Sequence, residues 1–141
     1  MTLASGSPIN PAYPDRVATN LINGVYGYAL QECYLSNFVP NPYILVDLQI
    51  VKPIDTVIVR GQNSSNIAVH FQNIEVRIGN VSSSGDFSEY SLLGTFVGPT
   101  NITNLEVQFG LSTPSLYGRF VSVQMMVPGG FQMQVCKLDI Y

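Results

Sequence analysis

Charged residues are scarce in this sequence, and basic residues never cluster. Only 11% of the 141 residues are charged, and the formal net charge is −3 at pH 7. Proteins that bind nucleic acid or anionic membranes present basic patches, so the composition argues against both partner classes. Long apolar runs are missing as well, since no stretch approaches the roughly eighteen apolar residues of a membrane-spanning helix. We therefore expect no part of the sequence to insert into a membrane.

Groups that could perform catalysis are equally few. The sequence has one His and two Cys, its acidic residues are spread singly, and it has no Gly-rich phosphate loop. A hydrolase needs a nucleophile with a base, paired carboxylates or a metal cluster. Asp47 falls in an apolar segment, where we expect it to anchor a turn rather than to act as an acid. The sequence therefore predicts that the protein is not an enzyme.

The abundant residues are those of strands and turns. Hydrophobic residues make up 46% of the chain, and its 9 Pro and 12 Gly are scattered. β-branched residues and Tyr are common, which is typical of a strand-rich domain with many turns. At this length we expect residues 1–141 to form a single domain.

The first half of the chain changes from loop-like to strand-like sequence near residue 43. Residues 1–42 contain several Pro residues with short apolar clusters between them, and we interpret this part of the chain as rich in loops. A nearly continuous apolar run at 43–50 predicts a strand that is covered on both faces. A turn is expected at 51–53 and a second strand at 54–60.

The second half repeats short apolar segments, with Gly, Pro, Ser and Asn between them. The pattern predicts strands at 74–78, 90–97, 105–109, 116–126 and 133–140. The apolar positions change phase within the last of these, which a β-bulge near Cys136 would explain. Many short strands in one domain predict an all-β fold, a β-sandwich or jelly roll.

Three Asn-x-Ser/Thr sequons occur, at Asn63, Asn80 and Asn101. Such sequons are acceptors for N-glycans in secreted proteins, although a chain rich in Asn, Ser and Thr can contain some by chance. Residues 1–8 have neither the basic nor the apolar region of a signal peptide. We expect an extracellular or cell-surface protein whose sequence belongs to a longer precursor. An intracellular protein with accidental sequons is the alternative.

Several segments, taken in their order and spacing, resemble the F-type lectin (fucolectin) and discoidin (coagulation factor 5/8 C-terminal) domains. The resemblance is carried by residues 3–8, 18–24, 43–48 (YILVDL), 60–61, 70–79 (HFQNIEVRIG), 118–121 (GRFV) and 135–138 (VCKL). It implies a β-sandwich jelly roll of the galactose-binding-like type. It also implies a module that recognises carbohydrate through loops at one end of the sandwich.

The resemblance gives the two cysteines a role. On composition alone, Cys33 and Cys136 could be reduced core residues. In the F-type lectins a disulfide ties a loop before the first core strand to the last strand, and the positions of Cys33 and Cys136 match it. The resemblance therefore implies a Cys33–Cys136 disulfide.

The sugar site of fucose-binding members consists of a His, an Arg, an Asp and a further basic residue. Arg60 stands at the position of the Arg, and His70 at that of the second basic residue. The Asp is replaced by Gln62, and the position of the His falls on residues 33–35, which contain no His. Arg60, Gln62 and His70 are thus candidate ligand contacts in an altered site. The alternatives are that Arg60 is a structural ion-pair partner or a solvated strand end, and that His70 is a surface histidine of a strand.

Two tyrosines are candidates for a different kind of contact. The loop after Arg60 is longer than the family's, and a new specificity there could use Tyr34 or Tyr43 as a stacking platform for a sugar face. A glycan on Asn63 would lie at the rim of such a site.

The family's structural calcium site is altered in this sequence. Calcium takes six to eight oxygen ligands, including carboxylates. The loop that supplies them in the family offers Asn20 and Asn23 here, and Lys137 stands where the family has a Glu. The resemblance therefore implies a degenerate site, and we expect no cofactor and no tightly held calcium. A weaker ion, assisted by Glu32, stays an open alternative.

Two functions remain open from the sequence. The first is an extracellular carbohydrate-recognition module for fucose-related glycans, bound weakly at each site and more strongly if the domain forms homo-oligomers. The second is a protein–protein adhesion or structural domain of a larger cell-surface or gamete protein, on which the sugar site has decayed. The partners would be cell-surface or secreted glycans in the first case and an adhesion protein in the second.

Overall fold

The computed structural model of the protein describes residues 2–22, 32–61, 71–98, 106–110 and 114–141. Strands dominate these ranges, which also contain a 3-10 helix at Ala18–Ile22. Within them, no helix is long and apolar enough to cross a membrane. The strands are β1 (Leu3–Gly6), β2 (Tyr34–Leu35), β3 (Tyr43–Ile54), β4 (Val57–Arg60), β5 (Ile74–Gly79), β6 (Ser91–Phe96), β7 (Glu106–Phe109), β8 (Leu116–Met125), β9 (Gln134–Val135) and β10 (Lys137–Ile140).

The strands form an antiparallel sandwich. One sheet has five strands in the order β1-β3-β8-β5-β6, and the facing sheet has three in the order β10-β4-β7. A separate two-stranded ladder consists of β2 and β9, whose residues are all buried. The apolar side chains between the sheets are buried, among them Val46, Val59, Val76 and Val123. The predicted all-β sandwich is confirmed.

Strand β3 is covered on both faces, as its continuous apolar sequence predicted. Ile44 and Val46 point into the main core. Leu45 points to the other side, where it joins a small cluster with Phe87 and Phe120. The cluster forms because the turn at 80–90 folds over the outer face of the five-stranded sheet.

Strand β5 shows the predicted alternation. Val76 and Ile78 are buried in the core, while Glu75 and Arg77 are half-buried on the outer face. Its neighbour β8 approaches it closely at Gly118, where an added Cβ would lie 2.4 Å from Ile78 Cγ2. A side chain at that position would therefore have to displace β5.

The predicted turn at 51–53 is wrong, because β3 continues through it to Ile54. Lys52 and Pro53 pair with β8 after a register shift between Asp47 and Lys52. Gln49 lies within the shift, with a φ of 70°. Pro has no N–H for a second neighbour, and none is needed, since β1 pairs with β3 only as far as Asp47.

Asp47 anchors this irregular stretch, as predicted. Its Oδ1 accepts a hydrogen bond of 2.8 Å from the Gln49 backbone N–H. The carboxylate also accepts two bonds from Arg119, at 2.7 and 2.9 Å. The Arg119 hydrogen bond is the main cause that holds the pKa of Asp47 below its usual value, with the Gln49 N–H adding to it.

The loop-rich residues 1–42 also contain an edge strand, β1, which pairs with β3; it is short and half of its residues are exposed, so its pattern is weak. One further expectation needs correction. The phase change near Cys136 is a change of partner rather than a bulge within one ladder. Val135 pairs with Tyr34, whereas Lys137 pairs with Arg60 in a different sheet.

The strands carry Arg60 to one end of the sandwich. Only residues 55–56 separate β3 from β4, so β4 runs back toward the end where β3 begins. The Tyr34 hydroxyl contacts the carbonyl of Tyr43 there, at 3.3 Å. We call this end the loop end; its described residues are 36–42, 60–61, 71–73, 97–98 and 126–133.

Candidate functional site at the loop end

Arg60 lies in a row of charged residues across the three-stranded sheet. The register places Lys137, Arg60 and Glu106 side by side on β10, β4 and β7. Val57 and Val59 point into the core, so Arg60 points to the outer face. Its Nη2 forms an ion pair with a carboxylate oxygen of Glu106, and their side chains are 27% and 37% exposed.

The two cations of this row favour the ionised form of the Glu106 carboxyl. The hydrogen bond from Arg60 is the main cause that lowers the pKa of the Glu106 carboxyl, and the charges of Arg60 and Lys137 lower it further. Lys137 Nζ also lies 3.0 Å from Asp139 Oδ2. Glu106 is therefore an anion at neutral pH, beside two cations.

The backbone of Arg60 is held by the disulfide-bonded strand. Cys33 and Cys136 form a disulfide across 103 residues of sequence, which confirms the predicted pairing. The Cys136 N–H donates to the Arg60 carbonyl at 2.8 Å. The disulfide is buried, and it links β10 and the backbone of Arg60 to the segment that precedes β2.

Tyr34 cannot serve as a stacking platform, and that prediction is wrong. Its side chain is fully buried, and its hydroxyl donates to the Ser7 carbonyl at 2.9 Å. Burial is the main cause that raises the pKa of Tyr34, so the hydroxyl stays a donor. Both residues of the short β2 are buried, and a strand of two residues leaves no pattern in the sequence that could reveal this.

Tyr43 lies on a different face from Arg60. It packs edge-to-face on Phe87, with ring centroids 5.2 Å apart, on the outer face of the five-stranded sheet. The structure therefore does not bring Tyr43 to the face of the three-stranded sheet that carries Arg60. A sugar-stacking role for its half-buried ring stays a prediction.

Several candidates fall outside the described residues. These are Gln62, His70, Asn23, Asn63 and Asn101, and their roles stay predictions. Asn80 is described and exposed directly after β5, so its side chain is accessible for glycosylation.

The residues at the family's calcium position do not fit a calcium site well. Asn20 Nδ2 donates to the Asp15 carbonyl at 2.8 Å, and the Lys137 ammonium brings a positive charge to the position of a ligand carboxylate. Among the described residues, Glu32 Oε2 is buried without a hydrogen-bond partner, which favours an ion. In the part of the chain that the structure describes, no three His, Cys, Asp or Glu residues are grouped to hold a metal.

Two features of the loop end leave no local signal in the sequence. Glu106 pairs with Arg60, which only the strand order β4-β7 reveals. Phe38 is 64% exposed and packs edge-to-face on Phe131, with centroids 6.3 Å apart. A bridge between Val39 and Phe131 sets this aromatic pair at the tip of the β2–β9 ladder.

Comparisons with known proteins find similar structures but no similar sequences. No protein-family model and no curated protein matches the chain. A crystal structure of an F-lectin (fucolectin) from striped bass (Morone saxatilis) serum matches 99% of the chain with a TM-score of 0.79, at 17% identity. The chain has the fold of the F-type lectins. It spans 45% of the length of the striped bass protein.

Two further structures have the F-type lectin fold in common with the chain. The lectin domain of Lectinolysin complexed with Lewis B antigen has a TM-score of 0.75 at 17% identity, over 99% of the chain and 92% of that domain. A fucose-binding module from Streptococcus pneumoniae has a TM-score of 0.75 at 10% identity, over 99% and 89%. The galactose-binding-like jelly roll predicted from the resemblance is thus confirmed.

Proposed function

We propose that residues 1–141 form one extracellular, non-catalytic domain that binds glycans at the loop end, with Arg60 as a ligand contact. Its ligands are fucose-related glycans of cell surfaces or secreted proteins, bound in a site that differs from that of other F-type lectins. The striped bass lectin and the S. pneumoniae module, whose names describe fucose binding, support a sugar ligand for this fold.

The observation that carries the proposal is the Arg60–Glu106 pair. A sugar hydroxyl both donates and accepts hydrogen bonds, and a guanidinium beside a carboxylate offers both functions. The ion pair and the Cys136–Arg60 backbone bond hold Arg60 in one orientation. A group that is already oriented loses less entropy when it binds a ligand.

The disulfide supports an extracellular location. Disulfides persist in oxidising compartments and are rare in the cytosol. A buried Cys33–Cys136 bridge is consistent with passage through a secretory compartment. A free-thiol assay on protein from a secretory host should find none, whereas two titratable thiols would contradict the proposal.

The test is a glycan-array screen of the domain, followed by titration of the best ligand. The screen is repeated after enzymatic removal of the domain's own glycans and in the presence of a chelator. Arg60→Ala should weaken binding at least about tenfold, because hydrogen bonds to a charged group contribute roughly 1.5–3 kcal/mol and about 1.4 kcal/mol is tenfold. Lys52→Ala is the control, since it also removes one positive charge, from an exposed side chain that is not part of the Arg60 row.

The outcomes separate the possible sites. Loss of binding in Arg60→Ala, with Lys52→Ala unchanged, supports the loop-end site. Equal affinity in wild type and Arg60→Ala would show that the ligand binds elsewhere. Binding that the chelator abolishes would contradict our expectation of no functional calcium.

A second function is favoured by the exposed aromatic pair at the loop end. Phe38 and Phe131 present an apolar surface of the kind that anchors protein interfaces. If no glycan binds under any condition, we propose that this end contacts an adhesion protein through Phe38. Phe38→Ser should then abolish capture of that protein without lowering the domain's urea midpoint.

A further inference from the structure

A groove lies on the outer face of the five-stranded sheet, on a different side of the sandwich from the Arg60 row. It has a volume of about 400 Å³ and runs between the strands β5 and β8 and the turn at 80–90. Gln124, Glu75 and Arg77 from the strands and Asp86 from the turn line it. Pockets of this size are large enough to hold a small ligand.

The groove exists because the turn is fixed above the sheet. Phe87 and Tyr90 of the turn are buried against Leu45 and Phe120. Gln124 ties the turn to the sheet, since its Nε2 donates to the carbonyl of Gly85 at 2.8 Å. The same nitrogen donates to the carbonyl of Asn41 at 3.0 Å. Two bonds from one nitrogen hold the Gln124 amide in a single orientation.

The polar groups of the groove are already oriented. Arg77 Nε donates to Glu75 Oε2 at 3.1 Å, and Arg77 Nη1 donates to the Tyr90 carbonyl at 3.1 Å. Asp86 Oδ1 accepts bonds of 3.0 and 2.7 Å from the backbone and hydroxyl of Ser88. An outer face of an antiparallel sheet is ordinarily polar and open to water. Here the turn makes it concave, and its side chains are fixed.

The lining restricts the chemistry of a ligand. Two carboxylates, Glu75 and Asp86, stand against one guanidinium, Arg77, which leaves one net negative charge. Ser88 is the main cause that holds the pKa of Asp86 below its usual value, so it is ionised at neutral pH. Met126, 39% exposed, adds an apolar wall. The groove therefore suits a ligand with several hydroxyls, an apolar face and no anionic group.

We propose that this groove is a second saccharide site, which binds a sugar without an acidic or sulfated group through Glu75, Asp86 and Gln124. The choice of a sugar among polar ligands rests on the proposed function. The groove lining does not include Arg60, Glu106 or Lys137, so it can bind a ligand whether or not Arg60 does. Two sites on different sides of one domain would let it bridge glycans, which raises avidity on a glycan-covered surface.

The test is an NMR titration of the whole chain, labelled with ¹⁵N. The probes are L-fucose, D-galactose, N-acetyl-D-glucosamine and, as the anionic sugar, N-acetylneuraminic acid. At least one neutral sugar should shift the amide signals of Gly85, Ser88 and Gln124 in a saturable manner. N-acetylneuraminic acid should shift them at least tenfold less at the same concentration.

Variants assign the shifts to the groove. Glu75→Gln keeps the shape of the side chain and should weaken the groove titration at least tenfold. Asp86→Ala, at an exposed position of the turn, should do the same without loss of fold. Glu89→Gln is the matched control, because Glu89 is an exposed carboxylate of the same turn that does not line the groove. Both Glu89→Gln and Arg60→Ala should leave the groove titration unchanged.

The outcomes distinguish this proposal from the proposed function. Shifts confined to residues near Arg60 and lost in Arg60→Ala would overturn the groove site and leave the loop-end site standing. Groove shifts that persist in both Glu75→Gln and Asp86→Ala would also overturn it. Groove shifts that are lost in both variants support it, even if Arg60→Ala has no effect on any sugar. No shift of Gly85, Ser88 and Gln124 with any of these sugars would overturn the groove site, whereas the loop-end site is decided by the glycan array and Arg60→Ala.

Discussion

The disulfide offers the sharpest test of how this small domain is held together. Replacement of Cys33 and Cys136 by Ala removes a bridge that closes 103 residues of sequence. In the chain-entropy model, a closed loop of roughly 100 residues restricts the unfolded chain by about 4.7 kcal/mol at 25 °C. A domain of this size is stable by about 5–15 kcal/mol. The bridge is thus expected to supply a large part of the total.

We expect the double variant to lose about 2–5 kcal/mol of unfolding free energy, the range found when native disulfides are removed from small secreted domains. Urea unfolding measures it, followed by far-UV circular dichroism because the chain has no Trp. The slope of the free energy against urea should rise, since an uncrosslinked chain exposes more surface when it unfolds. Wild-type protein in reductant should give the same urea unfolding curve as the double variant, after a thiol assay has shown that the disulfide is reduced.

A loss below about 1 kcal/mol with an unchanged slope would refute this reasoning. It would mean that the unfolded chain stays compact without the bridge, so that the loop-closure entropy is not recovered. If the double variant loses unfolding free energy and, while still folded, also binds glycan more weakly, the disulfide also positions Arg60. Affinity measured well below the urea midpoint separates the two effects.

Three further substitutions test single contacts. Tyr34→Phe should lower the unfolding free energy by about 1 kcal/mol, because a buried carbonyl loses its donor; changed glycan binding would contradict our assignment of this ring to the core. Gly118→Ala should cost about 1–3 kcal/mol by overpacking, whereas Gly129→Ala, whose Cβ would meet nothing within 4 Å, should change stability by under about 0.5 kcal/mol. Similar urea midpoints for the two would show that β5 and β8 can separate without loss. Asp47→Asn should lower the urea midpoint at pH 7, because a neutral amide cannot pair with Arg119 as the carboxylate does. The pKa of Asp47 is depressed in the fold, so its contribution is present above the unfolded pKa of about 3.9 and is lost as the pH falls through the folded value. The midpoints of wild type and Asp47→Asn should converge in acid, and a gap that is independent of pH would contradict this.

The strands that could be predicted are those whose burial leaves a pattern. In β5 the alternation of Val76 and Ile78 with Glu75 and Arg77 follows from one buried and one outer face. In β3 the apolar run is unbroken because both faces of the strand are buried, one by the core and the other by the turn at 80–90. Both signals are local, so a single sequence contains them.

The features that could not be predicted depend on partners distant in sequence. Pro53 was expected in a turn, and it is tolerated in β3 because β1 ends before it can pair there. The partner change at Cys136 and the pairing of Arg60 with Glu106 both depend on strand order. A one-dimensional pattern shows which face a residue occupies, but it does not show which strand lies next to it.

Three of the segments that resemble the F-type lectins, 43–48, 118–121 and 135–138, supply contacts that link the strands to one another. Asp47 of YILVDL and Arg119 of GRFV form the two-bonded ion pair that links β3 to β8. Cys136 of VCKL forms the disulfide and holds the backbone of Arg60. Contacts of this kind constrain the fold whatever ligand it binds, so they remain recognisable when the loops change. These contacts explain why the fold could be predicted although the identity to the striped bass lectin is only 17%. They do not involve a ligand, so the sugar site has to be tested directly, by substitution of Arg60.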